Sequence, residues 1–205
     1  MVETQLRRRG IRNERVLAAI AEIPRERFVP LEERVSAYAD APVPIGGGQT
    51  ISQPFMTALM AGLLRLEGWE NVLEVGAGSG YAAAVLGALA ARVTAVEIAP
   101  ALAEIARENL RAAGRDANVT VILGDGSLGF PGAAPYDAIS VAAAARQIPP
   151  ALLDQLKDPG RLVIPVGDSG DQELRLVEKR GGKITDRVAA HCRFVPLRGE
   201  GGWRE

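Results

Sequence analysis

The stretch Asn71–Tyr81, NVLEVGAGSGY, decides how the rest of the chain is read. Val72, Leu73 and Val75 form the short apolar run of a buried parallel strand. Gly76, Gly78 and Gly80 follow, and then an apolar helical segment from Ala82 to Leu89. Strand, glycine turn and helix let backbone come close to a nucleotide-like ligand. Beyond it, Val93–Val96 reads as a second strand, ending in Glu97, an acid placed to accept hydrogen bonds from ribose hydroxyls.

The glycine spacing narrows the ligand. A dinucleotide fingerprint wants its third glycine one residue later, where this chain has Tyr81. The pattern G-x-G-x-G, preceded by the acid Glu74, resembles the first motif of S-adenosylmethionine-dependent methyltransferases. Taken alone, the glycines can equally make a tight strand-to-helix turn and nothing more.

Outward from this centre, strands and helices alternate. A helix is expected over Pro100–Ala113 and a third strand over Val119–Leu123, ending in Gly124-Asp125-Gly126. Asp125 can accept a hydrogen bond from an adenine amino group or simply form an Asp-Gly turn. A fourth strand is expected over Tyr136–Val141, a short helix over Pro150–Leu156, a turn at Pro159-Gly160 and a fifth strand over Arg161–Val166. Gln172–Lys179 and Gly182–Asp186 read as a hairpin. Together these predict an α/β fold: a doubly wound, mostly parallel Rossmann-like sheet with antiparallel C-terminal strands and an N-terminal helical addition. One domain is expected over 1–205: N-terminal helices and a substrate loop over 1–53, a cofactor-binding core over 54–167, and C-terminal strands and tail over 168–205.

Upstream, residues 3–22 carry helical periodicity, with Gly10 a weak point where the helix can divide in two, and Phe28 and Val29, between Pro24 and Pro30, are expected to pack on the main body. The stretch 42–53, PVPIGGGQTISQ, reads as extended backbone followed by a close-approach loop rich in small polar groups. Ser52 sits where an N-cap would, ahead of Pro54 and an amphipathic helix running to about Leu66.

Composition excludes several classes. A net charge of -1 argues against a nucleic-acid-binding surface over the whole molecule. Arg7-Arg8-Arg9 is read as a solvated helix face. Cys192 is the only cysteine, so no internal disulfide exists. No apolar secretory segment follows the first charges, and the longest apolar run, Tyr81–Ala91, is too short to span a bilayer. A cytoplasmic protein without membrane, nucleic-acid or metal partners is expected, and a monomer.

Beyond the glycine turn, the residues resemble one family, the protein-L-isoaspartate (D-aspartate) O-methyltransferases, over nearly the whole chain. The resemblance rests on Pro24-Arg25-Glu26 with Phe28-Val29-Pro30, Tyr38-Ala39-Asp40, Gly48-Gln49-Thr50-Ile51-Ser52-Gln53-Pro54, Glu74-Val75-Gly76 with Gly78-Ser79-Gly80, Gly124-Asp125-Gly126 and Phe194-Val195-Pro196-Leu197. It implies methyl transfer from S-adenosylmethionine to the free carboxylate of L-isoaspartyl residues in damaged proteins and peptides. It makes Ser52 the active-site residue and Gly48, Gln49 and Thr50 the substrate loop. Gly76, Gly78, Glu97, Ile98, Asp125 and Gly126 then surround the cofactor. The chain departs from the family at Ala77, often Thr, and at Ala142–Ala145, where Thr and Pro are common.

The chemistry fits independently: a carboxylate nucleophile with a pKa of about 3.5–4 is already ionised at neutral pH, so no general base is needed. His191, the only histidine, is read as structural. Methylation of normal aspartate or another carboxylate in a dedicated peptide, a nicotinamide oxidoreductase, and a cofactor-binding relic that no longer turns over are the competing readings.

Overall fold

The computed structural model describes residues 1–168 and 170–203. Its centre is a seven-stranded sheet in the order β5-β4-β3-β6-β7-β8-β9. These strands are β3 (Asn71–Val75), β4 (Arg92–Glu97), β5 (Val119–Leu123), β6 (Tyr136–Val141), β7 (Leu156–Gly167), β8 (Gln172–Arg180) and β9 (Lys183–Cys192). From β5 to β7 neighbouring strands are parallel; β8 and β9 join antiparallel. The chain works outward from β3 in one direction through β4 and β5, then returns to β3's other side at β6. Strand order therefore reverses between β3 and β6, the position at which open α/β sheets hold ligands.

Burial on both faces of the sheet explains the apolar runs. In β3, Leu73 and Val75 face one core with Ile139, Leu152 and Leu197, whereas Val72 faces the other with Leu64, Val85 and Ala138. The helices are α1 (Glu14–Glu22), α2 (Pro54–Leu64), α3 (Tyr81–Gly87), α4 (Pro100–Ala112) and α5 (Pro150–Asp154). Residues 3–22 do divide. A single π-helical turn spans Val2–Arg7, and Gly10 adopts φ +92. A new helix then starts at Glu14, with the Asn13 side chain accepting hydrogen bonds from the Arg15 and Val16 amides. Phe28 is fully buried and meets Tyr81 edge-to-face at 5.5 Å between centroids, a contact that ties the N-terminal addition to the glycine turn.

Four expectations need correction. Residues 42–53 are not a bare loop: β1 (Val43–Gly46) and β2 (Gln49–Ile51) pair antiparallel, with Gly47 and Gly48 turning between them at φ +59 and +70. Pro159-Gly160 does not end an element, because β7 starts at Leu156 and absorbs both through a register shift against β6. The strand β9 runs to Cys192, six residues past the expected end at Asp186. And Ser52 is not the N-cap of α2; Gln53 occupies that position, without a side-chain capping bond.

Candidate active site

The site is built at the strand-order reversal. After β3 the chain turns through Gly76, Gly78 and Gly80 at φ +87, +55 and +91, values that disfavour any residue with a Cβ. Space is tight as well: a Cβ at Gly80 would lie 3.2 Å from the Ala106 carbonyl oxygen, and one at Gly78 would lie 3.1 Å from Ile45 Cδ1, so the neighbours would have to give by a few tenths of an ångström. The Gly76 amide donates to the Val96 carbonyl at 2.8 Å, fastening the turn to the end of β4. The Gly78 amide donates to Glu97 Oε2 at 2.8 Å and the Ala99 amide to Oε1 at 3.0 Å. Each carboxylate oxygen therefore keeps a lone pair for a further donor.

This turn lines a cleft whose empty space, counted with the open solvent at its mouth, is about 930 Å³. Gly76, Ala77 and Gly78 line it with Glu97, Ile98 and Gly126; Gln49, Thr50 and Ser52 close it from the β1–β2 side. Ile98 is an apolar side chain 42% exposed at the rim, a surface suited to a flat ring. A Cβ at Gly126 would stand 2.6 Å from Val75 Cγ1, so the wall there tolerates no side chain.

Two predicted site residues sit differently. Gly48 lies at the exposed hairpin tip and does not line the cleft; Gly47 does. The Asp125 carboxylate is occupied within the protein: Oδ1 accepts from the Ser127 amide and hydroxyl, Oδ2 from the Glu200 amide at 2.7 Å. It forms the Asp-Gly turn and anchors the C-terminal tail, and it is absent from the cleft wall, so the expected hydrogen bond to adenine has no support in its position. The tail contributes wall residues that the sequence did not single out for this role, Val195 to Arg198. Trp203 fixes this tail by donating from Nε1 to the Ala144 carbonyl at 2.8 Å, with the Arg146 guanidinium 4.5 Å over its ring.

Ser52 stands at a junction. It lines the cleft and also a second groove bounded by Arg9, Pro42, Phe55, Met56 and His191–Val195. Among the described residues nothing hydrogen-bonds its hydroxyl. Its carbonyl accepts from Arg25 Nη2 at 2.6 Å. Arg25 is fully buried, donates from Nε to the Ala37 carbonyl at 2.6 Å, and places its guanidinium carbon 4.8 Å from the centre of the Tyr81 ring. Burial holds the Arg25 pKa below its ordinary value. The sequence signalled this residue only as part of the family run Pro24-Arg25-Glu26.

Electrostatics restrict the chemistry. Burial, opposed by nearby Arg25, pushes Tyr81 up to about 12, so it stays a neutral phenol. Burial pushes Cys192 up to about 11, which removes a thiolate nucleophile at neutral pH. Glu74 is buried on β3, with neither oxygen hydrogen-bonded among the described residues. Burial first, and the Glu97 charge second, push its carboxyl well above the usual range. It does not line the cleft. His191, expected to be structural, is instead exposed on the groove, with Nδ1 3.7 Å from Asp171.

The family model described as "Protein-L-isoaspartate(D-aspartate) O-methyltransferase (PCMT)" matches residues 1–202. The chain belongs to that family. A protein-L-isoaspartate O-methyltransferase of Methanoregula boonei is 51% identical over 203 residues, covering 99% of this chain and 93% of its own. Among solved structures, a protein-L-isoaspartate O-methyltransferase superposes with a TM-score of 0.83 at 31% identity, over 98% of this chain and 67% of that one. A beta-aspartate methyltransferase (PCMT) from Plasmodium falciparum, solved in complex with S-adenosyl-L-homocysteine, superposes with a TM-score of 0.80 at 27% identity, over 96% of both chains. Family membership sets the mostly parallel methyltransferase sheet in context: the cleft at its strand-order reversal is the part of this chain to compare with the cofactor site of that complex.

Proposed function

We infer that this protein is an S-adenosylmethionine-dependent methyltransferase that esterifies the free carboxylate of isoaspartyl residues in proteins and peptides, the first step of their repair. The observation that carries this reading is the position of Ser52, where the glycine-walled cleft meets an open groove. A cofactor in the first and a peptide in the second would meet at its hydroxyl.

The walls fit S-adenosylmethionine. Glu97 offers two free lone pairs for ribose hydroxyls, Ile98 an apolar face for the adenine, and Gly76 and Gly78 a bare backbone for the rest. When bound, that cofactor supplies an electrophilic methyl group on a sulfonium. The chain's own contribution is then binding and orientation. Gln49 and Thr50 wall the meeting point. The unengaged Ser52 hydroxyl donates a hydrogen bond to the substrate carboxylate and fixes its direction. Holding nucleophile and methyl in line contributes on the order of 7 kcal/mol or more without any proton transfer. No base is required, in keeping with a neutral Tyr81 and a protonated Cys192 at the site's edges.

The reading includes a single methyltransferase unit over 1–205, with 1–53 serving the substrate side, 54–167 the cofactor and 168–205 the closing strands and tail. It also includes a cytoplasmic monomer without nucleic-acid or membrane partners. No described helix is long and apolar enough to cross a membrane. Light scattering behind a sizing column checks the monomer.

Methyl transfer from labelled S-adenosylmethionine to two peptides, identical except for Asp or isoAsp at one position, tests the activity. Base-labile label on the isoAsp peptide alone is expected; label on the Asp peptide overturns the substrate assignment. Ser52→Ala is expected to lower kcat while the Kd for cofactor holds, and a large loss of cofactor affinity would remove Ser52 from the assigned role.

A further inference from the structure

The groove beside Ser52 has a charge character that the methyl-transfer reading does not use. It shares Thr50, Ser52, Ala142 and Val195 with the cleft, so a peptide whose carboxylate reaches Ser52 must lay its neighbouring residues along it. Pro42, Phe55, Met56 and Phe194 supply apolar walls; Arg9, His191 and Arg193 supply the ionisable ones. Among the described residues no carboxylate lines it.

The two arginines are not equivalent. Arg9 is already neutralised, with Nη1 2.6 Å from Asp40 Oδ2 and its guanidinium carbon 3.6 Å over the Phe55 ring. His191 has Asp171 beside it. Arg193 is exposed and has no ion pair or hydrogen bond among the described residues. Among the described residues Arg193 is therefore the one unpaired cation on the groove's wall, on the route that the substrate's flanking residues must take, with the Asp171 carboxylate outside the wall beside His191.

We propose that Arg193 is a specificity-determining residue, and that the groove selects isoaspartyl sites with an acidic side chain within a few residues of the damaged position. The proposal rests on the methyl-transfer reading, since it assigns the groove to that substrate's flanks. Because Arg193 is exposed, its pairing with an incoming carboxylate behaves as a surface ion pair, which makes the expected preference a few-fold, up to about five. Salt weakens it, since the Debye length falls from about 10 Å at 0.1 M to about 3 Å at 1 M.

The test uses the full chain and three isoaspartyl peptides that differ only in carrying Glu, Gln or Lys at the flanking positions. The ratio of kcat/KM for the Glu peptide to that for the Lys peptide is measured for the unaltered protein, for Arg193→Glu and for Lys183→Glu. The last makes the same charge change at the far end of β9, outside the groove. A ratio of about three to five at low ionic strength, falling toward one in high salt, is expected for the unaltered protein and for Lys183→Glu, with inversion below one for Arg193→Glu. A ratio that Arg193→Glu leaves where it was, or that Lys183→Glu moves as far, overturns the proposal while turnover of the Gln peptide keeps the functional reading intact. Failure to label any of the three peptides overturns that reading, and the proposal with it. Circular dichroism of Arg193→Glu separates misfolding from altered choice, and Arg193→Gln, which removes charge without adding one, is expected to bring the ratio to about one.

Discussion

Replacing Arg25 by methionine removes a buried guanidinium and keeps most of its apolar length. Two terms oppose each other. The cation is fully buried, with Nη1 unpaired among the described residues, and burying it costs several kcal/mol, which the substitution returns. Against this, the carbonyls of Ala37 and Ser52 each lose a charged donor at 2.6 Å. The Ala37 bond is buried, so its carbonyl bears the full penalty of an unsatisfied group, about 1–3 kcal/mol. The Ser52 bond is only part-buried, so water can replace the donor at a cost near the lower end, about 1 kcal/mol. The cation over the Tyr81 ring adds about 1 kcal/mol more. Losses of about 3–5 kcal/mol, set against the several kcal/mol of desolvation returned, leave a small net: we expect Arg25→Met to change unfolding stability by no more than about 2 kcal/mol in urea titration at neutral pH. The effect on catalysis is separable, because Arg25 touches Ser52 but does not line the cofactor cleft. Folded Arg25→Met is therefore expected to bind S-adenosylhomocysteine with nearly unchanged Kd and to methylate an isoAsp peptide with reduced kcat. A stability loss above about 3 kcal/mol would mean that the substitution returns little of the desolvation cost. An unchanged kcat would mean that Arg25 does not position Ser52.

Three further outcomes follow from the same geometry. Glu97→Gln loses the acceptor pair that faces the cleft and is expected to weaken cofactor binding about 10–100-fold in isothermal titration, as hydrogen bonds to a charged group are worth about 1.5–3 kcal/mol; retained affinity would place the ribose elsewhere. Glu74 is raised in the folded state, so the fold binds its proton more tightly than the unfolded chain does. Its contribution is full below the ordinary value of 4.5 and declines as pH rises, by at most about 1.4 kcal/mol per unit, until the raised value is passed. The stability of Glu74→Gln relative to the unaltered protein should therefore grow as pH rises above about 4.5 in denaturant titrations, and parallel profiles would refute a protonated Glu74. Gly126→Ala forces a Cβ to within 2.6 Å of Val75 Cγ1 and is expected to cost about 1–3 kcal/mol, read as a lowered Tm; no change would show that the wall yields.

What the sequence made legible follows physical contrast. The run Val72–Val75 is buried on both sides, and Gly76, Gly78 and Gly80 all take positive φ, so apolar strand and glycine turn announced themselves together. The β1–β2 hairpin was hidden because two prolines and three glycines mimic a loop, although Val43 and Ile45 alternate buried with exposed neighbours, a period-two signal in a strand only four residues long. The far half of β9 was hidden because Ala189 and Ala190 are half-buried side by side and His191 is exposed before the half-buried Cys192, so no two-residue alternation marks it. The site divides the same way. Local backbone chemistry pointed to Gly76, Gly78 and Glu97, and the family resemblance to Gly126; all four line the cleft. The rest depended on contacts between distant segments: Glu200 taking Asp125, Arg25 reaching Ser52 across 27 positions, and His191 arriving beside Phe55.

Ser52 shows how the two kinds of information combine. Its place ahead of Pro54 suggested a cap, a local role that needs no function to explain it. In the fold Gln53 takes the cap position, and the Ser52 hydroxyl is left without a hydrogen-bond partner among the described residues, where cleft and groove meet. Capping is thereby removed as an account of this serine, and its main chain is held from behind by a buried cation. A hydroxyl kept unengaged, on a backbone held at one point, is preorganised to donate to something that arrives from outside the chain.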